Sequence, residues 1–229
     1  MNVLAIDTST EACSVAICTR DLIDGEFEIC PQQHSQKLLE MIDRVLSKHM
    51  LSLTDMELLA YGCGPGSFTG VRIAASTIQG LSFGADLPVA QISTLATMAQ
   101  ENYERFRVES SMALIDARMQ EVYKGMYSVD PSSQVVKLVG VEAVLPPNEL
   151  SDELKKIRDS SYVGSGYHAY REALQIETLP KQLNVSYPNA KYMLSLAKHI
   201  AKQNGTVSAA NIAPTYIRDK VTWKKLPGK

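Results

Sequence analysis

The stretch Gly62 to Gly80, GCGPGSFTGVRIAASTIQG, holds five glycines and a single charged side chain, Arg72. Glycine at this density lets backbone come close to a phosphate, a substrate or another chain. A phosphate-binding P-loop needs GxxxxGK followed by Ser or Thr, but five positions after Gly64 stands Thr69, with no lysine nearby. A dinucleotide-binding turn needs GxGxxG, and in either register its third glycine is replaced, by Ser67 or by Thr69. A nucleophile elbow needs GxSxG, whereas Ser67 has Pro65 two positions before it and Thr69 two after. Metal chemistry finds no ligand pattern either. His34, His49, His168 and His199 form no HxxxH or HxxH pair, and Cys13, Cys18, Cys30 and Cys63 form no CxxC. The last group is cationic: Arg218, Lys220, Lys224, Lys225 and Lys229 are set against Asp219, with Trp223 among them. Such a segment is either a solvated terminus or an electrostatic contact to nucleic acid or an acidic partner, with Arg218, Lys224 and Lys225 as the candidate contacts.

These residues must be positioned by regular elements. Val3 to Ile6 is a short apolar run ending at Asp7, which predicts a buried strand opening into a turn. Segments 12–18 and 22–30 add two more strands. Ser35 opens a helix with Leu38, Leu39, Ile42, Val45 and Leu46 at helical spacing, and Lys37, Glu40, Asp43, Arg44 and Lys48 on its other face. A strand over 57–64 leads into the glycine stretch, read as a loop and then a helix from Ser67 to Gly84. A strand over 87–93 and a helix over 94–106 follow, so the first hundred residues read βββαβαβα. The second half opens in the same way. Leu114-Ile115-Asp116, then Glu121, repeats Leu4-Ala5-Ile6-Asp7, then Glu11, at an offset of 109 residues. That repeat predicts a duplicated α/β lobe, with residues 1–104 in the first and 105–229 in the second, the last residues packing back on the first. Beyond it the pattern predicts a strand, a loop at Pro146-Pro147, a helix within 148–157, a strand running into a glycine turn, and a helix from Asn189 stopped by Gly205.

Composition narrows the class. With 45% hydrophobic and 21% charged residues and a formal net charge of −2, the chain is globular, with no global attraction to nucleic acid or anionic membrane. No apolar run approaches the roughly 18 residues of a membrane span. Scattered cysteines and the absence of a basic segment before Val3 predict a cytoplasmic protein with reduced thiols. Within 67–84, Val71, Ile73, Ala74, Ala75, Ile78, Leu81 and Phe83 surround the helical wheel. A helix apolar all round is buried all round. One face can pack on its own lobe. The other needs a cover, either elsewhere in the chain or on a partner. Gly66, Gly70 and Ala74 recur every four residues, and Gly80 and Gly84 repeat that spacing, which favours close approach of a second helix.

GPGSFTGVRI, together with NVLAIDTSTEACSVAI, STLATMAQ, IDARMQEVY and the ending WKKLPGK, resembles the bacterial TsaB (YeaZ) family in its gamma-proteobacterial form, over essentially the whole chain. The resemblance implies two RNase H-like lobes of the actin/sugar-kinase/Hsp70-like superfamily. It implies a non-catalytic part in attaching threonylcarbamoyl to N6 of adenosine 37 in tRNAs that read ANN codons. The catalytic, metal-binding paralogue would be TsaD and the ATPase TsaE, with tRNA met through the complex. No cofactor of this chain's own is implied, and a nucleotide at a subunit interface stays open. Where the catalytic paralogue carries its HxxxH pair, this chain has Thr94 and Met98. Superfamily kinases admit phosphate at an Asp-x-Gly-Thr/Ser hairpin, and here the run is Asp7-Thr8-Ser9-Thr10. Asp7, Thr8 and Ser9 are therefore either anion or nucleotide contacts or ties within their own hairpin, and Asp116 beside Arg118 carries the same two readings. Partner binding falls to the helices 35–48 and 67–84, with Leu38, Ile42, Gly70, Val71, Ala74 and Ile78 as contacts. They would form a bundle with the equivalent helices of TsaD, or of a second copy when TsaD is absent. A bulky residue at Gly70 or Ala74 is expected to block pairing and leave the lobe folded. A degenerate kinase-like ATPase or peptidase, and a purely homodimeric interaction protein, remain as rival readings.

Overall fold

The computed structural model describes residues 1–20, 22–150, 154, 161–174 and 185–218. The first sheet holds β1 (Val3–Asp7), β2 (Ala12–Cys18), β3 (Ile23–Ile29), β4 (Leu58–Gly64) and β5 (Val89–Ser93) in the order β3-β2-β1-β4-β5. Strands β1 to β3 pair antiparallel, whereas β4 runs parallel to both β1 and β5. The parallel pairs need crossovers. These are α1 (His34–Lys48), which lies between β3 and β4, and α2 (Phe68–Ala85), between β4 and β5. The second sheet holds β6 (Ser110–Arg118), β7 (Glu121–Val129), β8 (Val136–Leu145) and β9 (Ser161–Val163), in the order β8-β7-β6-β9. Its β6 to β8 are antiparallel and β9 is parallel to β6, so it repeats the first four positions of the first sheet. This is the RNase H-like arrangement, used twice. The hairpin repeat legible in the sequence is the visible trace of that duplication.

Period-2 alternation decides what each strand faces. On β1, Leu4 and Ile6 face α1 and α2, while Val3 and Ala5 face the second lobe. The layer between the sheets is α3 (Thr94–Phe106) and α5 (Met193–Lys202), which bury Leu95, Met98, Met193 and Ala197. A third cluster, with Leu114, Val122 and Tyr167, covers the outer side of the second sheet beside the short helix α4 (Ser165–Ala169). Helices thus cover both faces of β1 and β2, and every residue of these two strands is buried.

The predicted boundary at 104/105 falls inside α3 near its C-terminal end, which Arg107 closes at φ 57°. Helix α5 and residues 205–218 return to the first lobe: Val207 bridges to Val89, and the Thr215 N–H donates to the Cys63 carbonyl at 2.7 Å. The helix expected within 148–157 falls largely outside the described residues. Between the lobes, Arg118 donates to Glu11 Oε1 at 2.6 Å and also holds Asp116, so the structural reading of Asp116 stands. No helix of the described residues is long and apolar enough to cross a membrane.

Candidate functional site

The glycine stretch presses on its own chain. A Cβ at Gly62 would lie 1.8 Å from Asp7 Oδ2, one at Gly66 2.3 Å from the Ser9 carbonyl, and one at Gly70 2.0 Å from the Thr8 carbonyl. Three glycines thereby seal the β1–β2 turn, and Asp7, Thr8 and Ser9 are each 0% exposed. The donors of that turn are engaged internally. Ser9 N–H and hydroxyl both donate to Asp7 Oδ1, at 2.9 and 2.8 Å. The Thr8 hydroxyl donates to the Gly70 carbonyl at 2.7 Å, and the Ser9 carbonyl accepts from Ser67 N–H at 2.7 Å. An anion at Asp7, Thr8 and Ser9 would have to displace these bonds and the glycine loop. Of the two readings of Asp7, Thr8 and Ser9, these bonds favour the one in which they tie their own hairpin. Desolvation raises Asp7 to about 7, against the lowering effect of the Ser9 bonds, and its Oδ2 has no partner.

The six residues expected to meet a partner are mostly interior in this chain, although Leu38 also lines the open groove between α1 and α2. Leu38, Ile42, Val71, Ala74 and Ile78 are 5% exposed or less, and Gly70 is buried under the Thr8 carbonyl. They glue α1 and α2 onto their own sheet. Gly70 must face inward to let α2 reach the β1–β2 turn, and on a 3.6-residue repeat that choice carries Ala74 and Ile78 inward too. A bulky residue at Gly70 or Ala74 would thus disrupt the lobe itself. The opposite stripe is open: Phe68 is 61% exposed, Phe83 83%, and Leu39 of α1 58%. Between the helices runs a groove of about 390 Å³, lined by Ser35, Leu39, Phe68, Arg72, Ile73 and Ser76 among others. Sequence reasoning singled out α1 and α2, and the structure shows that the stripe it named is mostly interior while the opposite stripe is exposed. Wheel periodicity gave little guidance because apolar residues lie on both stripes of α2; the signal that could have marked the open one is Arg72, the helix's single charge. The positions of Gly80 and Gly84, where an added Cβ meets nothing within 4 Å, belong to the open side.

Thr94 and Met98 are both fully buried in the layer between the sheets, and a hydroxyl and a thioether there do not fit a divalent catalytic metal. Among the described residues no three His, Cys, Asp or Glu side chains converge as metal ligands. Arg218 is drawn into the fold: it donates to the Ala117 carbonyl at 3.1 Å and pairs with Glu121. Arg218, a candidate contact to nucleic acid or an acidic partner, is thus engaged by β6 and β7 of the second lobe, whereas Lys224 and Lys225 lie outside the described residues.

The family TsaD: tRNA N6-adenosine threonylcarbamoyltransferase matches residues 28–226. The tRNA threonylcarbamoyladenosine biosynthesis protein TsaB of Escherichia coli is 41% identical over the full length of both chains. That of Haemophilus influenzae is also 41% identical, over 100% of this chain and 98% of its own. Among solved structures, YeaZ from Pseudomonas aeruginosa superposes with a TM-score of 0.82 at 36% identity, covering 94% of this chain and 99% of that one. A second structure, described as similar to peptidase YeaZ from Pseudomonas aeruginosa, gives 0.85 at 38% identity, covering 95% and 99%. Full-length likeness of this extent, on the duplicated fold described above, leaves one conclusion: the chain belongs to the TsaB (YeaZ) family of tRNA threonylcarbamoyladenosine biosynthesis proteins.

Proposed function

We propose that this protein serves tRNA threonylcarbamoyladenosine biosynthesis as a non-catalytic subunit that scaffolds the catalytic paralogue TsaD, together with TsaE. The surface it uses is the outward face of α1 and α2, and two copies pair through the same face when TsaD is absent. It needs no cofactor of its own; metal and ATP belong to the partner subunits, and tRNA is met through the assembly. One observation carries this reading. The turn at which superfamily kinases hold phosphate is filled by the protein's own glycine loop, while the apolar face of α1 and α2 lies uncovered, with Leu39, Phe68 and Phe83 standing in solvent. Large exposed apolar residues around a groove mark a protein contact more often than a catalytic centre.

Leu39→Glu combined with Phe83→Glu is expected to weaken association with TsaD by about 100-fold or more, since a buried carboxylate would stand at two anchor points. Both side chains are exposed, so thermal stability of the isolated protein should change by less than about 0.5 kcal/mol. Sedimentation of the mixed proteins reads the first effect and calorimetry the second. Reconstitution with TsaD and TsaE, scored by nucleoside mass spectrometry, should yield modified tRNA with the wild-type chain and little with the double variant. Full modification without this chain, or nucleotide hydrolysis by the isolated chain that Asp7→Ala abolishes, would overturn the proposal.

A further inference from the structure

We infer that the segment Ala213–Arg218 belongs to the partner-binding face, and that Tyr216, Phe68 and Arg72 together form a platform for a partner's carboxylate set among apolar side chains. The inference rests on the reading of α1 and α2 as the partner face and adds the chemistry that face recognises. The segment is a strap held at both ends. At one end the Tyr61 hydroxyl and Gln91 Nε2 donate to the Ala213 carbonyl at 2.9 and 3.0 Å, and Thr215 N–H bonds to the Cys63 carbonyl. Gly64, at φ +112°, makes room for this crossing, since a Cβ there would lie 2.8 Å from the Thr215 carbonyl. At the other end Arg218 grips Ala117 and Glu121 of the second lobe.

Between these anchors Tyr216 lies against Phe68, with ring centroids 6.0 Å apart. The Arg72 guanidinium sits 3.2 Å above the Phe68 ring and 5.2 Å from that of Tyr216. The ion-paired arginines among the described residues are Arg44, Arg105, Arg118 and Arg218, so Arg72 has two rings and no carboxylate. It is also the single charge on α2 and lines the groove. Stacking fixes the guanidinium plane in advance, which lowers the entropy lost when a carboxylate docks on it. The apolar rim would shield the resulting pair from water and strengthen it. A helix of the partner that carries an Asp or Glu between apolar residues fits this surface.

Sedimentation velocity of the full chain, alone and mixed with purified TsaD at two salt concentrations, tests the inference. Arg72→Met should weaken pairing about tenfold and remove most of its salt dependence; Tyr216→Ala should weaken it about threefold. Arg218→Ala, which lies outside the groove, should weaken pairing by a similar factor through the strap, and should speed hydrogen exchange at the Thr215 amide. Leu39→Glu is the control for the groove itself. If Leu39→Glu abolishes pairing while Arg72→Met and Tyr216→Ala leave it within about twofold of wild type, the platform is wrong and the groove reading survives. If Leu39→Glu changes nothing, the groove reading falls.

Discussion

Gly70→Val is expected to unfold the first lobe at physiological temperature or to lower its melting point by about 10 °C or more. The added Cβ would stand 2.0 Å from the Thr8 carbonyl oxygen, and because that obstacle is backbone, no side chain can swing away to relieve it. Moving α2 outward would break the Thr8 hydroxyl bond to the Gly70 carbonyl and the Ser67 bond to Ser9, and would open the cluster around Ala74 and Ile78. Overpacking in a yielding core costs about 1–3 kcal/mol, and here lost hydrogen bonds and a separated core face add to it, for a total of about 4 kcal/mol or more. Gly62→Ala is expected to cost less, because its Cβ would collide with the Asp7 side chain, which can shift only by giving up its Ser9 bonds. The contrast lies at the far end of the same helix. Gly80→Ala meets nothing, and by helix propensity it should stabilise the isolated chain by about 0.5–1 kcal/mol. Melting curves of the three variants read this directly. Gly70→Val with a wild-type melting point would mean that the loop does not rest on the β1–β2 turn.

Stability of the protein should fall as pH rises from about 4 to about 7, through Asp7. Its carboxyl is fully buried, Oδ1 takes both Ser9 donors and Oδ2 has none. Desolvation therefore outweighs the Ser9 bonds and raises the folded-state value from 3.8 to about 7. Below about 4 the carboxyl is protonated in both states. Between 4 and 7 the unfolded chain ionises it while the folded chain keeps the proton, so folding loses ground with each pH unit, and above 7 the loss is complete. A shift of this size corresponds to a few kcal/mol, on the order of 4 at most. Exposed carboxylates held low by their neighbours, such as Asp55 with Ser52 and Glu57 with Asn2, act in the opposite sense at lower pH. The informative quantity is therefore the difference between wild type and Asp7→Asn. Urea unfolding at several pH values should show the variant gaining on wild type through this window and at least equalling it at pH 8. Parallel curves would show that Asp7 is ionised and solvated.

Much of the architecture was legible in the chain before folding. Strand and helix order in the first hundred residues follows from short apolar or alternating runs bounded by turn residues and from the helical spacing of Leu38, Ile42 and Val45, because such patterns are local properties of the chain. The repeat of an apolar strand ending in aspartate, Asp7 and again Asp116, announced the second lobe for the same reason. The absence of phosphate-loop, dinucleotide and metal-ligand patterns is likewise a statement about spacing, which needs no coordinates.

What the glycines approach was decided by tertiary structure alone. Gly62, Gly66 and Gly70 face residues more than fifty positions away in the chain, and nothing local distinguishes a loop that seals its own turn from one that cradles a ligand. The stripe of α2 left open is a consequence of the same contact. With apolar residues on both sides of the helix and Arg72 its one charge, the wheel only weakly separates two ways to pack, and the close contact between Gly70 and Thr8 selects one. Arg218 makes the point for charge: a cation in a basic segment reads as solvent-facing until the fold brings Glu121 and the Ala117 carbonyl to it. Periodicity sets which residues share a face, but which face turns inward depends on contacts between distant segments, and those exist only once the chain has closed.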